Sequence, residues 1–359
     1  MITAMSRRFA VFGFLTLAGV AAVVARAGGV QGPRPPGAEF RGQAFQLTKV
    51  QEGIYHAEGT GALSVGGNAA VIVNDEDVLV VDSLSTPAAA WALAEQIKTI
   101  TDKPIRYVVN THFHWDHVHG NQIYGPGVEI IGHAFTRRMV AAGESKRGRS
   151  YDMFVGVIPS QIVQLRKQVD AMAPGAAKEK LGEQLQVQEQ YELASASVTP
   201  QPPTITLTES MTLYRGSREI QLLFLGRGHT GGDIVVYLPK ERVVVTGDLL
   251  TAGPSYLGDA FPAEWTATLD RLRALDFDTV LPGHGEVFKG KEKIDHFQAY
   301  LADFWQQVRA CHDAGLSAEE AARRLDLRAH AGHYPALRDI GVLNHGVYRA
   351  YDVIEGRVP

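Results

Sequence analysis

From residue 45 onward, short apolar runs alternate with turn-forming residues. The runs at 45–50, 54–56, 68–73 and 78–82 are β-branched or alternating and are bounded by Gly, Asn or Asp, which is the pattern of strands. Asn74-Asp75-Glu76-Asp77 separates two of them and predicts a hairpin turn. Thr86-Pro87 predicts a helix start that carries on to about residue 100, with proline at the first helical position, where its missing N–H costs nothing. Residues 105–110 read as a buried strand. A helix at 118–124, a strand at 128–131 and a helix at 133–142 continue the alternation. The pattern then breaks. Residues 144–158 are charged and Gly-containing and close on Tyr151, Met153 and Phe154. Ile162, Leu165, Val169 and Met172 recur at helical spacing, Pro174-Gly175 interrupts them, and Leu181, Leu185 and Tyr191 predict a second helix. Residues 145–195 therefore read as a helical-hairpin insertion, too small for a core of its own. Strands resume at 204–207, 211–214, 219–225, 234–238 and 243–246, followed by a helix at about 263–275 and a strand at 279–281. The tail, 291–314, 317–325 and 337–354, reads as helical. The two halves share an order of strands then helices, which predicts two β-rich layers facing each other with helices outside.

Composition narrows the class. The 359 residues are 45% hydrophobic and 21% charged, which is globular, with a formal net charge of -4. Residues 1–27 hold Arg7, Arg8 and Arg26 and no acid, so the remainder is more acidic still. An acidic body without a basic block argues against nucleic acid or an anionic membrane as partner. Residues 1–27 read as a secretory signal peptide: a basic start, an uncharged run over 9–24, and a small-x-small site at Ala25-Arg26-Ala27. The run is shorter than the roughly 20 residues of a span. Cleavage, a periplasmic or secreted product and no stable membrane insertion are expected; an uncleaved segment would be an anchor. Residues 28–42 are Gly/Pro-rich and read as a flexible N-terminal segment, leaving 43–359 as the folded domain. Cys311 is the only cysteine, so an intrachain disulfide is excluded, and its helical setting reads as a buried small residue.

The candidate chemistry begins directly after the run 105–110. Thr111-His112-Phe113-His114-Trp115-Asp116-His117 places three imidazoles and a carboxylate on one loop, a set that suits zinc or a similar divalent metal. Downstream, His229 lies in the glycine-rich turn Gly226-Arg227-Gly228-His229-Thr230-Gly231-Gly232-Asp233. Asp248 follows the apolar run 243–246, His284 follows 279–281, and Asp82 closes an early strand in the same way. Acids and imidazoles at the ends of apolar strands converge on one edge of a sheet, where α/β folds build their sites.

In that order, Asp82, His112-x-His114-x-Asp116-His117, His229, Asp248 and His284 resemble the motifs of metallo-β-lactamase-fold hydrolases over roughly residues 45–290. The resemblance implies an α/β fold: an αββα sandwich of two facing mixed β-sheets with outer helices, here with the helical insertion at about 145–195 and C-terminal helices at about 291–355. It implies that His112, His114 and His229 bind one metal ion, that Asp116, His117 and His284 bind a second, and that Asp248 bridges them. Asp82 would steady the motif loop through hydrogen bonds. Two Zn2+ are the implied cofactors, and iron or manganese also suits the ligands. A bridging hydroxide would attack a carbonyl carbon, with Asp116 as the catalytic residue that orients it and carries a proton.

Trp115 is expected beneath the metal loop, and His119 and His133 in structural roles nearby. His56, His296, His312, His330, His333 and His345 read as surface or satisfied core. Asp248 stands where one true β-lactamase subclass has a zinc-binding cysteine, and the loop through Gly120-Asn121 is similar to the glyoxalase pattern. The expectation is an exported binuclear zinc hydrolase acting on a small-molecule acyl substrate of the ester, lactone or thioester class. The alternatives are a metallo-β-lactamase opening β-lactams and a metal-binding member without turnover. Substrate contacts are expected from the 59–67 loop, Tyr151, Phe154 and Tyr256, with the insertion and C-terminal helices lidding the cleft.

Overall fold

A computed structural model of the chain describes residues 30, 32–337 and 344–358. The expected signal peptide, and residues 338–343 of the helix expected at 337–354, lie outside the described residues. Strands β1 (Phe45–Gln51), β2 (Ile54–Gly59), β3 (Ala69–Val73), β4 (Val78–Val81), β5 (Ile105–Val109), β6 (Glu129–His133) and β7 (Ile205–Leu207) form one sheet in sequence order. The pairs from β1 to β4 are antiparallel, and those from β4 to β7 are parallel. Strands β8 (Ser210–Arg215), β9 (Arg218–Phe224), β10 (Ile234–Leu238), β11 (Val243–Gly247), β12 (Thr279–Pro282) and β13 (Phe288–Lys289) form the second sheet in the order 13-12-11-10-9-8, with only the β11–β12 pair parallel.

The sheets face each other across one core, in which Ile72, Leu79, Val109 and Ile131 of the first meet Leu222, Val236, Val245 and Leu281 of the second. Every residue of β4, β10, β11 and β12 is buried, which is why those strands read as unbroken apolar runs rather than alternating ones. Helix α1 (Pro87–Ile97), capped by the Thr86 side chain, covers the outer face of the first sheet, burying Leu93 and Ile97 beside Val71 and Val108. Helices α7 (Pro262–Ala274) and α8 (Glu292–Asp313) cover the second, with Trp265, Leu269, Phe297 and Phe304 beside Val235, Val244 and Val280. Cys311 is buried in this same layer. The architecture is the αββα sandwich.

The remaining helices are α2 (Trp115–Val118), α3 (Ala134–Ala141), α4 (Arg149–Phe154), α5 (Ile158–Ala171), α6 (Ala176–Ala196), α9 (Ala318–Arg324) and α10 (Asn344–Ile354). Helices α5 and α6 make the hairpin of the insertion, preceded by a short α4 that the sequence pattern did not separate. The helix expected at 118–124 is instead α2 followed by a 3-10 turn at His119–Ile123. Among the described residues no helix is long and apolar enough to cross a membrane.

Candidate metal centre

All the candidate ligands leave the sandwich at one end. Asp82 follows β4, the His112–His117 loop follows β5, His229 lies between β9 and β10, Asp248 follows β11 and His284 follows β12. Backbone bonds tie the two sheets together here: the Ile234 N–H donates to Thr111 O at 2.8 Å and the Asn68 N–H to Gly283 O at 2.7 Å. Gly283 is where a close approach demands glycine, because a Cβ there would collide with Asp248 Oδ1 and press on the His117 ring.

Three buried imidazoles form a first group. His114 Nδ1 lies 3.1 Å from His112 Nε2 and 2.9 Å from His229 Nε2. Burial, with the neighbouring imidazoles, holds His112 well below its ordinary value and brings His229 down to about 3. Neutral imidazoles offer lone pairs. Two ligands on a tetrahedral zinc with bonds of 2.0–2.1 Å stand about 3.3 Å apart, close to these spacings. The opposite ring nitrogens are pinned. Thr111 Oγ1 donates to Asp82 Oδ2 at 2.8 Å and so accepts from His112 Nδ1 at 3.0 Å, leaving Nε2 as the bare nitrogen. His114 Nε2 lies 3.0 Å from Asp259 Oδ2, leaving Nδ1 bare.

A second group sits beside the first. Asp116 Oδ2 lies 3.2 Å from His284 Nε2 and 3.5 Å from His117 Nε2. Asp82 Oδ2 takes the Nδ1 proton of His117 at 2.8 Å, so His117 Nε2 is aimed inward, where it is buried without a hydrogen-bond partner. Asp248 spans the groups: its Oδ2 is 3.3 Å from His284 Nε2 and 3.6 Å from His229 Nε2, and its Oδ1 is 3.6 Å from His117 Nε2. Burial alone would raise the Asp248 carboxyl, but His284 and His117 hold it well below the carboxylate range. Burial would lower His117 and His284, yet Asp116, Asp82 and Asp248 raise the first and Asp248 and Asp116 raise the second to about 10. This concentration of carboxylate draws positive charge to itself. Three sets can each surround an ion: His112/His114/His229, His112/His117/Asp248 and Asp116/His117/His284. Bare convergent nitrogens, an orphaned His117 Nε2 and clustered carboxylates fit divalent metal.

A cavity of about 420 Å³ opens over both groups, lined by His114, Asp116, Asp248 and His284 and by Trp115, Phe154 and Tyr256. Tyr151, expected at the substrate, is not among its lining residues; it packs on His119 at 5.8 Å and beside Val155 and Ile158. Of the 59–67 loop, only Gly66 reaches the cavity. Trp115, expected beneath the loop, also forms part of the wall. His119 is buried on Ser145, and His133 caps α3. Sequence reasoning missed Thr111 and Asp259, the residues that orient His112 and His114. Asp259 follows no apolar run and sits in an irregular loop, so no periodicity marks it.

The chain matches the family model of the Metallo-beta-lactamase superfamily over residues 64–284. It is 27% identical over 304 residues to the linear primary-alkylsulfatase of Pseudomonas sp. (strain ATCC 19151), covering 77% of this chain and 53% of that protein. It is 29% identical over 111 residues to the metallo-beta-lactamase type 2 of Elizabethkingia meningoseptica, covering 29% of this chain and 44% of that one. The chain thus spans about half the length of the curated relatives it matches. A solved metallo-beta-lactamase from Pontibacter korlensis superposes with a TM-score of 0.51 at 18% identity, covering 72% of this chain and 99% of that one, which speaks to the fold. With its matched segment running from Ser64 to His284 and so taking in every candidate ligand, the chain belongs to the metallo-beta-lactamase superfamily, most of whose members are hydrolases.

Proposed function

We propose that this centre holds two divalent metal ions, zinc by default, and hydrolyses a small-molecule ester, lactone or thioester. The observation that carries the reading is Asp248, whose two oxygens face both imidazole groups at the floor of one cavity. His112, His114 and His229 would hold one ion, Asp116, His117 and His284 the other, and Asp248 would join them. Bound metal supplies an activated water at neutral pH and a Lewis acid for the carbonyl. The chain's part is to orient and to move a proton. Asp116 lines the cavity, where its carboxylate can accept the proton of the attacking water and return it to the leaving group. In the balance, the water oxygen bonds to the carbonyl carbon, the bond to the leaving oxygen or sulfur breaks, and the leaving group departs protonated.

The test is a panel of aryl esters, lactones, thioesters, a chromogenic cephalosporin and an alkyl sulfate, offered to metal-loaded and chelated protein. Ester or lactone cleavage abolished by chelator is expected. Protein that holds two metals and cleaves none of them would leave only the metal-binding reading without turnover. A cephalosporin cleaved while esters stay inert would favour β-lactam opening. The alkylsulfatase relative favours a second reading, sulfate-ester hydrolysis, read by the alkyl sulfate alone. Residues 1–27 support export to the periplasm; fractionated cells should yield a periplasmic protein shortened by about that segment, and a cytoplasmic full-length chain would refute it.

A further inference from the structure

The aromatic walls of the cavity point to the kind of substrate it takes. Phe154, at the end of α4 in the insertion, is a large apolar ring left 46% exposed. Its ring centre lies 6.4 Å from that of Trp115 and 6.1 Å from that of Tyr256. Trp115 comes from the metal loop, and its indole N–H donates to Ser150 Oγ at 3.1 Å, which fixes the ring's orientation. Tyr256 comes from the loop after β11 and meets His114 edge-on at 5.8 Å. Three rings from three separate segments thus meet beside the ligands, and apolar surface so placed gains most when an apolar group covers it.

The charges around the cavity select further. Among its described lining residues there is no Lys or Arg, while Asp116 and Asp248 are present. Two arginines near enough to act on the Tyr256 phenol are already engaged. Arg149 pairs with Asp352 at 2.6 Å, and Arg349 donates to Ala260 O at 2.9 Å while lying over the Phe261 ring at 4.7 Å. Away from the candidate ligands, no lysine or arginine among the described lining residues would pair with a remote carboxylate, and the three rings would bury it without a partner.

We infer that the substrate carries an apolar chain on its scissile group, seated against Phe154, Trp115 and Tyr256, and bears no charge beyond that group. The inference deepens the hydrolase reading and rests on it. A carboxylic ester and an alkyl sulfate share this chain chemistry, and the assay separates them.

Metal-loaded full-length protein is given p-nitrophenyl acetate, butyrate, hexanoate and octanoate, and in parallel n-alkyl sulfates of rising length, all below their micelle concentrations. For whichever series turns over, kcat/KM is expected to rise roughly two- to fourfold per methylene before levelling. The p-nitrophenyl monoester of adipic acid, with a terminal carboxylate, is expected to be at least tenfold poorer than the hexanoate. Phe154→Ala should flatten the chain-length slope, chiefly through KM, and Phe154→Leu should retain part of it, with circular dichroism and metal content reporting the fold. A flat series in the wild-type protein, an adipate as good as hexanoate, or a slope untouched by Phe154→Ala overturns the inference. Should neither series turn over, the open-chain ester and alkyl-sulfate readings fail, the lactone and thioester readings stand on their own panel, and binding decides the inference. Titration with methyl ketones of rising length should change the fluorescence of wild-type protein but not of Trp115→Phe, with affinity rising with length and falling in Phe154→Ala. Absence of that gradient overturns it.

Discussion

The carboxylate of Asp259 lies 3.0 Å from Nε2 of His114, a residue 145 positions earlier in the chain. Burial would raise that carboxyl, but the hydrogen bond from His114, with Arg349 nearby, holds it below its ordinary value. A carboxylate on one ring nitrogen fixes the tautomer and makes the other a better ligand. Asp259→Ala should therefore weaken metal binding at the His112/His114/His229 group by roughly 10–100-fold, with the fold retained. Competition with a chromophoric chelator measures it. Unchanged affinity would show that His114 needs no outside orientation.

Asp82 does similar work from a strained position. Its φ of 66° lies in the left-handed region that side chains other than glycine rarely adopt. The strain persists because its carboxylate takes three hydrogen bonds, from Thr111 N, Thr111 Oγ1 and His117 Nδ1, each at 2.8 Å. Asp82→Gly relieves the backbone yet strips all three, so the lost bonds should dominate. A destabilisation of about 1–3 kcal/mol is expected, measured by urea unfolding of the metal-free protein. A more stable Asp82→Gly protein would mean the strain outweighs the bonds.

How much of this was legible follows from where physical signals lie in a chain. Apart from His229, which lies in a glycine-rich turn, the candidate ligands stand at or soon after the ends of apolar strands, so strand periodicity and residue type marked them together, Asp248 and His284 included. Strands buried on both faces, such as β10 and β11, announced themselves as continuous apolar runs. Asp259 and Thr111 act through contacts that no local pattern encodes; Thr111 was visible only as part of the motif. Helix α6 begins at Ala176, ahead of the expected apolar positions, because only Tyr191, Ala194 and Ser195 near its end are buried and its first half carries no stripe. Trp115 joins the cavity wall because α4, six residues long and too short for a periodic signal, brings Ser150 and Phe154 up beside it.

Asp248 is the joint between the two ligand groups, so its loss should be uneven. Asp248→Ala leaves His112, His114 and His229 complete and removes the shared oxygens of the other group. Metal analysis should fall from two ions per chain toward one, and hydrolysis should drop by several orders of magnitude, with circular dichroism unchanged. Retention of both ions would refute the bridging role.

His119 offers a pH test of the fold itself. It is buried, with Nε2 3.3 Å from Ser145 Oγ. Burial lowers its pKa; Asp116 opposes this and Lys146 assists, and the net is a fall from 6.5 to about 4. The folded chain keeps this imidazole neutral while the unfolded chain protonates it near its ordinary value. Between those values the unfolded state binds more protons. Stability is therefore full above about pH 6.5 and is lost as pH falls toward 4, by about 2 kcal/mol at pH 5. Urea unfolding of metal-free protein at pH 7 and pH 5 should show a smaller loss for His119→Gln than for wild type, by about that amount. Equal losses would count against a buried neutral His119.

The two ligand groups should also bind metal with different proton counts. In the metal-free chain His284 is raised to about 10 and His117 well above its ordinary value, because the surrounding carboxylates outweigh their burial. Both are imidazolium at neutral pH. His112 and His229 are held far below neutrality by burial and are already bare. A metal needs the lone pair, so an ion entering the Asp116/His117/His284 group must expel about two protons, whereas one entering the histidine group expels close to none from His112 and His229. Acidification should then strip the second ion first, its apparent affinity falling by up to about 100-fold per pH unit near neutrality. Calorimetric titration at pH 7.5 in buffers of differing ionisation enthalpy counts the protons directly. Asp248→Ala, expected to keep only the first ion, should lose most of the release. A release shared evenly between the two ions would contradict this electrostatic division of the site.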